Sequence, residues 1–185
     1  MIETRKKRTI LVKKSFLTLI EDEVILPNQK ETTRLFVSHP GASAILAFTP
    51  DQQLILTKQY RYPIAQISLE IPAGKKDEDE VSFLTCAKRE LEEETGYTST
   101  DFELLGTYYP CVGYSDEILY LYVARNCELM LDKKNQDNDE FVEPVLMDLK
   151  QVKALLFSFG FKDGKTIIAL YHYFNQLAQK EIEMK

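Results

Sequence analysis

The chain has 185 residues, 44% of them hydrophobic and 28% charged, with only 7 Gly and 7 Pro, which suits a folded domain with a substantial core and excludes global disorder. Its formal net charge of −6 has the wrong sign for a nucleic-acid partner. No segment approaches the roughly 20 apolar residues of a membrane span, and three widely spaced cysteines without a CxxC pair (Cys86, Cys111, Cys127) point to a reducing compartment, the cytoplasm, and to neither disulfides nor zinc.

In chain order, the basic cluster at residues 5–8, with Lys13 and Lys14, reads as a solvated, frayed terminus. The apolar run at 16–20 is too short for a secretory leader and meets Glu21, Asp22 and Glu23. Strands are expected at 24–26 and 32–37 around the turn residues 27–30, then a hairpin of 44–48 and 54–57 across Thr49, Pro50 and Asp51. A short strand at 67–71 closes on Pro72, Ala73 and Gly74. A helix follows at 83–95, with Ser82 as its N-cap and Gly96 at the left-handed position past its end. Strands are expected at 102–107 and 117–124, a polar loop at 133–140, and a strand at 141–147 interrupted near Pro144. Two helices end the chain, at 151–157 and 166–180; the second repeats Ile167, Leu170, Tyr171, Phe174 and Leu177 at helical spacing. The pattern predicts an α+β fold, a mixed β-sheet with helices on its faces.

The helix at 83–95 carries glutamate at 90, 92, 93 and 94. With Glu90 at zero, Glu93 and Glu94 fall at about −60° and +40°, while Glu92 lands near 200° beside Lys88, on the solvent side. Phe83 and Cys86, at about 20° and −40°, lie one turn below the acidic triplet, so these carboxylates continue the apolar stripe. Two readings remain at this point. One is a Glu-rich exposed helix face; the other is a divalent-metal site, whose oxygen donors favour Mg²⁺ or Mn²⁺ over zinc.

The run Arg89-Glu90-Leu91-Glu92-Glu93-Glu94-Thr95-Gly96-Tyr97, with Gly74 upstream, resembles the box of Nudix hydrolases. The spacing departs by one residue: the box glutamate falls on Glu80 counted from Gly74 and on Val81 counted back from Arg89. The segments KQYRYP (58–63), LEIPAGK (69–75), YYPCVGYSDEILYLYVA (108–124), DEFVEPV (139–145) and DGKTIIAL (163–170) resemble ADP-ribose pyrophosphatases and related nucleoside-diphosphate-sugar hydrolases. Val112 stands where that subfamily has proline, which bears on substrate identity.

The resemblance implies a Nudix fold over 41–185 and a small antiparallel β extension over 1–40 that forms a homodimer. It implies Mg²⁺ (or Mn²⁺) held by Glu90, Glu93, Glu94 and the carbonyl of Ala73. Glu140, as general base on the polar loop, Glu93 and Arg89 become the catalytic set. Arg61, Arg34, Glu70, Gly113 and Glu117 become substrate-binding residues, and Phe16 or Phe36 a stacking platform for the base. The implied activity is hydrolysis of ADP-ribose to AMP and ribose 5-phosphate. GDP-mannose or broader nucleotide-sugar hydrolysis is the alternative, and a non-catalytic nucleotide-sensing module a third reading. His39, His172 and the cysteines are expected to be structural.

Overall fold

The computed structural model describes residues 1–132 and 141–183. The chain divides into two compact units, Met1–Gly41 with Tyr108–Leu119, and Ala42–Thr107 with Tyr120–Lys185.

In the first unit β1 (Thr4–Lys14), β2 (Leu17–Ile25) and β3 (Glu31–Ser38) form an antiparallel sheet in that order. This corrects the frayed terminus expected at 5–8: the basic cluster lies within an eleven-residue strand. Its cations face acids on its neighbours. Arg8 donates to both carboxylate oxygens of Asp22 at 2.8 and 2.7 Å, Lys6 to Glu31 at 2.7 Å, and Lys7 lies 3.4 Å from Glu23. Opposite charges across strands stabilise the pairing that like charges along one strand oppose. A second segment docks within this unit, where the Val37 N–H donates to the Tyr114 carbonyl (2.8 Å) and the Asp116 N–H to the Val37 carbonyl (3.2 Å).

The second unit is built on a seven-stranded sheet whose main path runs β12 (Val142–Met147), β5 (Leu54–Arg61), β4 (Ala42–Phe48), β10 (Leu119–Arg125) and β9 (Asp101–Tyr108); β6 (Gln66–Glu70) adds to β5 and β7 (Ala73–Lys75) to β4. All seven residues of β4 are buried. Ile45 and Ala47 pack with Ala87 and Leu91 of α1 (Phe83–Thr95), whereas Phe48 stacks on Tyr173 of α3 (Gly164–Glu183) at 4.9 Å. Because successive strand residues point to opposite faces, the sheet lies between these helices. Pro144 does not interrupt β12. It pairs opposite Thr57 on an edge strand, the place in a sheet where a residue without an N–H is tolerated. The small pair β8 (Tyr97–Thr98) and β11 (Glu128–Leu129) completes the strands.

The termini of α1 follow the sequence. Ser82 Oγ accepts from the Thr85 N–H at 3.1 Å, and Gly96 adopts φ 75° while its N–H donates to the Glu92 carbonyl. The helix α2 (Leu149–Phe157) starts two residues before the expected 151, because Asp148 caps the N–H groups of Lys150 and Gln151, both at 2.9 Å.

Candidate active site

The acidic face of α1 is organised around Arg89. Its Nε donates to Glu80 Oε1 at 3.0 Å, its Nη1 reaches Glu93 Oε2 at 2.9 Å and Glu90 Oε1 at 2.7 Å, and its Nη2 donates to the Lys75 carbonyl at 3.0 Å. Burial works against the guanidinium charge, but Glu80, Glu90 and Glu93 raise its pKa well above the ordinary arginine value. Glu80 also accepts from the Asp77 N–H at 2.8 Å, tying the loop before the helix to Arg89. The extra loop residue therefore leaves Glu80, not Val81, facing the arginine; Val81 points to solvent at 91% exposure.

Glu90 and Glu94 are buried, as the wheel requires of acids that continue the apolar stripe. Glu94 Oε2 accepts from the Ala73 N–H at 3.0 Å, which brings the backbone of β7 against the acidic face. Gly74 leaves room for the neighbouring acid: a Cβ there would lie 2.0 Å from Glu90 Oε1. Glu92, expected to be solvated, is half-buried and accepts from the Thr98 hydroxyl at 2.9 Å. Among the described residues no group of three or more His, Cys, Asp or Glu side chains is arranged to hold a metal ion. The reason is visible, since Glu90 and Glu93 both turn an oxygen to Arg89. The donor set still fits a hard divalent cation, being entirely oxygen and partly buried, with the glycine gap beside it.

A second ionic cluster stands beside it. Glu70, 2% exposed, accepts from Arg61 Nε at 2.8 Å and Nη2 at 2.6 Å, and from the ammonium of Lys165. Burial opposes ionisation of Glu70 most strongly, yet the Arg61 hydrogen bonds and the Lys165 charge together lower its pKa to about 2. Lys165 also pairs with Asp163 at 3.1 Å. Arg61 is held charged by its hydrogen bonds to Glu70, and the charges of Glu94 and Asp163 act in the same direction, so this cluster borders the acids of α1. Lys165 and Asp163 were not singled out from sequence. The DGK triplet just before a helical repeat was the signal.

Arg34, Gly113 and Glu117 lie in the first unit. Arg34 forks onto Glu3 at 2.6 and 3.0 Å. Gly113 sits on an open loop beside Val112, which is 82% exposed, and Glu117 lies 4.0 Å from the His39 ring. His39 Nδ1 accepts from the Gly41 N–H at 3.0 Å, and its ring meets Phe16 edge-on at 5.2 Å. Phe36 is covered by the Arg8 guanidinium. On α3, the His172 ring contacts Gln176 at 3.1 Å. Glu140 lies outside the described residues. Cys86 and Cys127 are core thiols, each pushed up to about 11 chiefly by burial, and so protonated at neutral pH.

A buried acidic helix face braced by one arginine, joined to a glycine-bearing strand and set in a sheet between helices, defines a class. Residues 37–170 match the family model described as NUDIX domain, and the chain belongs to the Nudix family, whose hydrolases generally depend on a divalent metal. It is 38% identical over 156 residues to the ADP-ribose pyrophosphatase of Bacillus subtilis (strain 168), covering 84% of each protein. It is also 38% identical over 159 residues to the methanol dehydrogenase activator of Bacillus methanolicus, covering 86% of this chain and 85% of that protein. Identity to the GDP-mannose pyrophosphatase of Yersinia enterocolitica is 32% over 142 residues, 71% of this chain and 72% of that protein. A crystal structure described as an ADP compounds hydrolase superposes with a TM-score of 0.82 over 97% of this chain and 96% of that one; at 20% identity this shows a shared fold.

Proposed function

We propose that this protein hydrolyses the diphosphate bond of ADP-ribose to AMP and ribose 5-phosphate, using Mg²⁺ held by Glu90, Glu93, Glu94 and the Ala73 carbonyl. The observation that carries this reading is the Arg89-braced acidic face, together with the 38% identity to the Bacillus subtilis enzyme. When bound by these residues, the cation would supply charge neutralisation of the diphosphate and polarisation of its phosphorus–oxygen bonds. Arg89 sets the orientation of Glu90 and Glu93 before any ligand arrives, which lowers the ordering cost on binding. Arg61, two of its nitrogens fixed by Glu70, presents the remaining edge of its fork to the diphosphate oxygens. Glu140 takes the proton of the attacking water; one phosphorus gains that oxygen, and the bridging bond breaks toward the other phosphate. Gly113 and Glu117 contact the nucleotide or sugar.

The enzyme acts as a cytoplasmic homodimer. Support lies in the three-stranded sheet, where the register puts Val12, Leu17 and Leu35 on one face, each of them exposed. A second copy covers that face, while Arg34 and Phe36, on the other face of the same sheet, and Phe16, at the turn between β1 and β2, reach toward the partner's substrate.

GDP-mannose is the second reading. It is favoured by the Yersinia enterocolitica relative and by Val112 on the open loop. A panel of ADP-ribose, GDP-mannose and other nucleotide sugars, with Mg²⁺ and with EDTA, tests both. AMP from ADP-ribose, abolished by EDTA, is the expected result. No AMP at any pH from neutral to alkaline overturns the first reading, and preferential GMP release from GDP-mannose installs the second.

A further inference from the structure

We infer that Lys165 is a positioning residue for substrate binding: it shares the buried Glu70 carboxylate with Arg61, and so holds the Arg61 guanidinium in the plane that meets the diphosphate. The inference rests on the reading of Arg61 as a diphosphate ligand.

The geometry is specific. Glu70 receives three charged donors, Arg61 Nε, Arg61 Nη2 and Lys165 Nζ, the last from a residue 95 positions away in the chain. Asp163 faces Lys165 from the other side at 3.1 Å, so two cations and two acids alternate in a chain with no net charge. Lys165 is 11% exposed at its side chain, against 40% for Arg61. The lysine is therefore the buried anchor and the arginine the presented end. Two of three guanidinium nitrogens are committed to Glu70, and Nη1 has no partner among the described residues.

Lys165 is also placed against local helix physics. It occupies the first turn of α3, where the helix dipole disfavours a cation. Capping of that turn belongs to Asp163, whose carboxylate accepts from the Thr166 N–H at 2.9 Å. Docking of the turn onto the strand region belongs to Thr166, wholly buried, whose hydroxyl accepts from the Ile71 N–H at 2.9 Å. Neither task needs the lysine. What the ammonium does supply is a second counter-charge to a carboxylate that Arg61 would otherwise have to satisfy alone. With that help, Arg61 can turn its outer edge to a phosphate oxygen without leaving a buried acid uncompensated.

The test compares Lys165→Met, Lys165→Arg, Thr166→Val and Arg61→Met, all in the full chain. Two readouts are taken: steady-state kinetics with ADP-ribose and Mg²⁺, and the calorimetric Kd for ADP-ribose in EDTA. Lys165→Met is expected to raise KM and Kd about tenfold, the effect of losing one charge-assisted hydrogen bond, with kcat within about twofold. Lys165→Arg restores both constants, and Thr166→Val lowers Tm while leaving KM in place. Unchanged KM in Lys165→Met beside a raised KM in Arg61→Met overturns the inference and leaves the Arg61 reading intact. A joint fall of kcat and Tm in Lys165→Met that arginine does not rescue overturns it too, in favour of a purely structural lysine. Unchanged KM and Kd in Arg61→Met removes the Arg61 reading and this inference with it.

Discussion

Arg89 and Glu70 organise the two halves of the candidate site for opposite electrostatic reasons. One is a cation surrounded by carboxylates, the other a carboxylate surrounded by cations. Glu94→Gln removes an acid that touches the Ala73 backbone without removing its shape, so turnover should fall by about 100-fold or more while the circular dichroism spectrum and Tm stay near those of the parent. For Glu70 the sign of the pH effect is fixed by its pKa, which folding lowers from 4.5 to about 2. A depressed carboxyl pKa contributes stability that is complete above the unfolded value and is lost as pH falls through the window from about 4.5 to about 2, on the order of 3 kcal/mol in all. Urea unfolding at pH 6 and pH 3 should show this loss, and Glu70→Gln should flatten the dependence while lowering stability at pH 6. The two clusters were not equally legible. Glu90, Glu93 and Glu94 announce themselves by helical spacing on an apolar stripe. A single lysine whose partner lies 95 positions away has no periodicity to betray it.

At the scale of elements, α1 was readable to the residue, because its start and stop are local chemistry. Ser82→Ala should lower unfolding free energy by about 1 kcal/mol with KM unaffected, as the cap lies at the far end of the helix from Glu93 and Glu94. Chemical denaturation checks this. The strand β1 was misread for the complementary reason. A run rich in Lys and Arg has little to recommend it as a strand until Asp22, Glu23 and Glu31 are placed across from it. Those partners are a matter of register between elements, which composition does not display. Asp148 is a milder case, an aspartate three residues ahead of the expected helix whose capping role its position alone does not display.

For the whole molecule, two compact units divide the labour unevenly. The larger contains the acidic face, Gly74 and the Arg61–Glu70–Lys165 cluster; the smaller offers a sheet with apolar side chains facing outward. Leu35→Glu places a charge in the middle of that outward face, opposite Glu21 on the same side. On the proposed homodimer, analytical ultracentrifugation should show a dimeric parent and a monomeric variant, and an unchanged sedimentation coefficient would reject the sheet as the contact. The division of the chain is only partly visible in sequence. Residues 108–119 join the N-terminal sheet through Val37, an association made by backbone groups that every residue carries.

The close approach of Glu90 to Gly74 has a practical consequence. Because the carboxylate occupies the volume a methyl group would need, Gly74→Ala displaces it without altering a single ionisable group of the protein. Such a variant separates shape from charge: titration of the whole chain would count the same acids, whereas calorimetry with Mg²⁺ should show weakened binding and turnover should drop with it. A one-carbon wedge would thus disarm the enzyme while leaving its formal charge where it began.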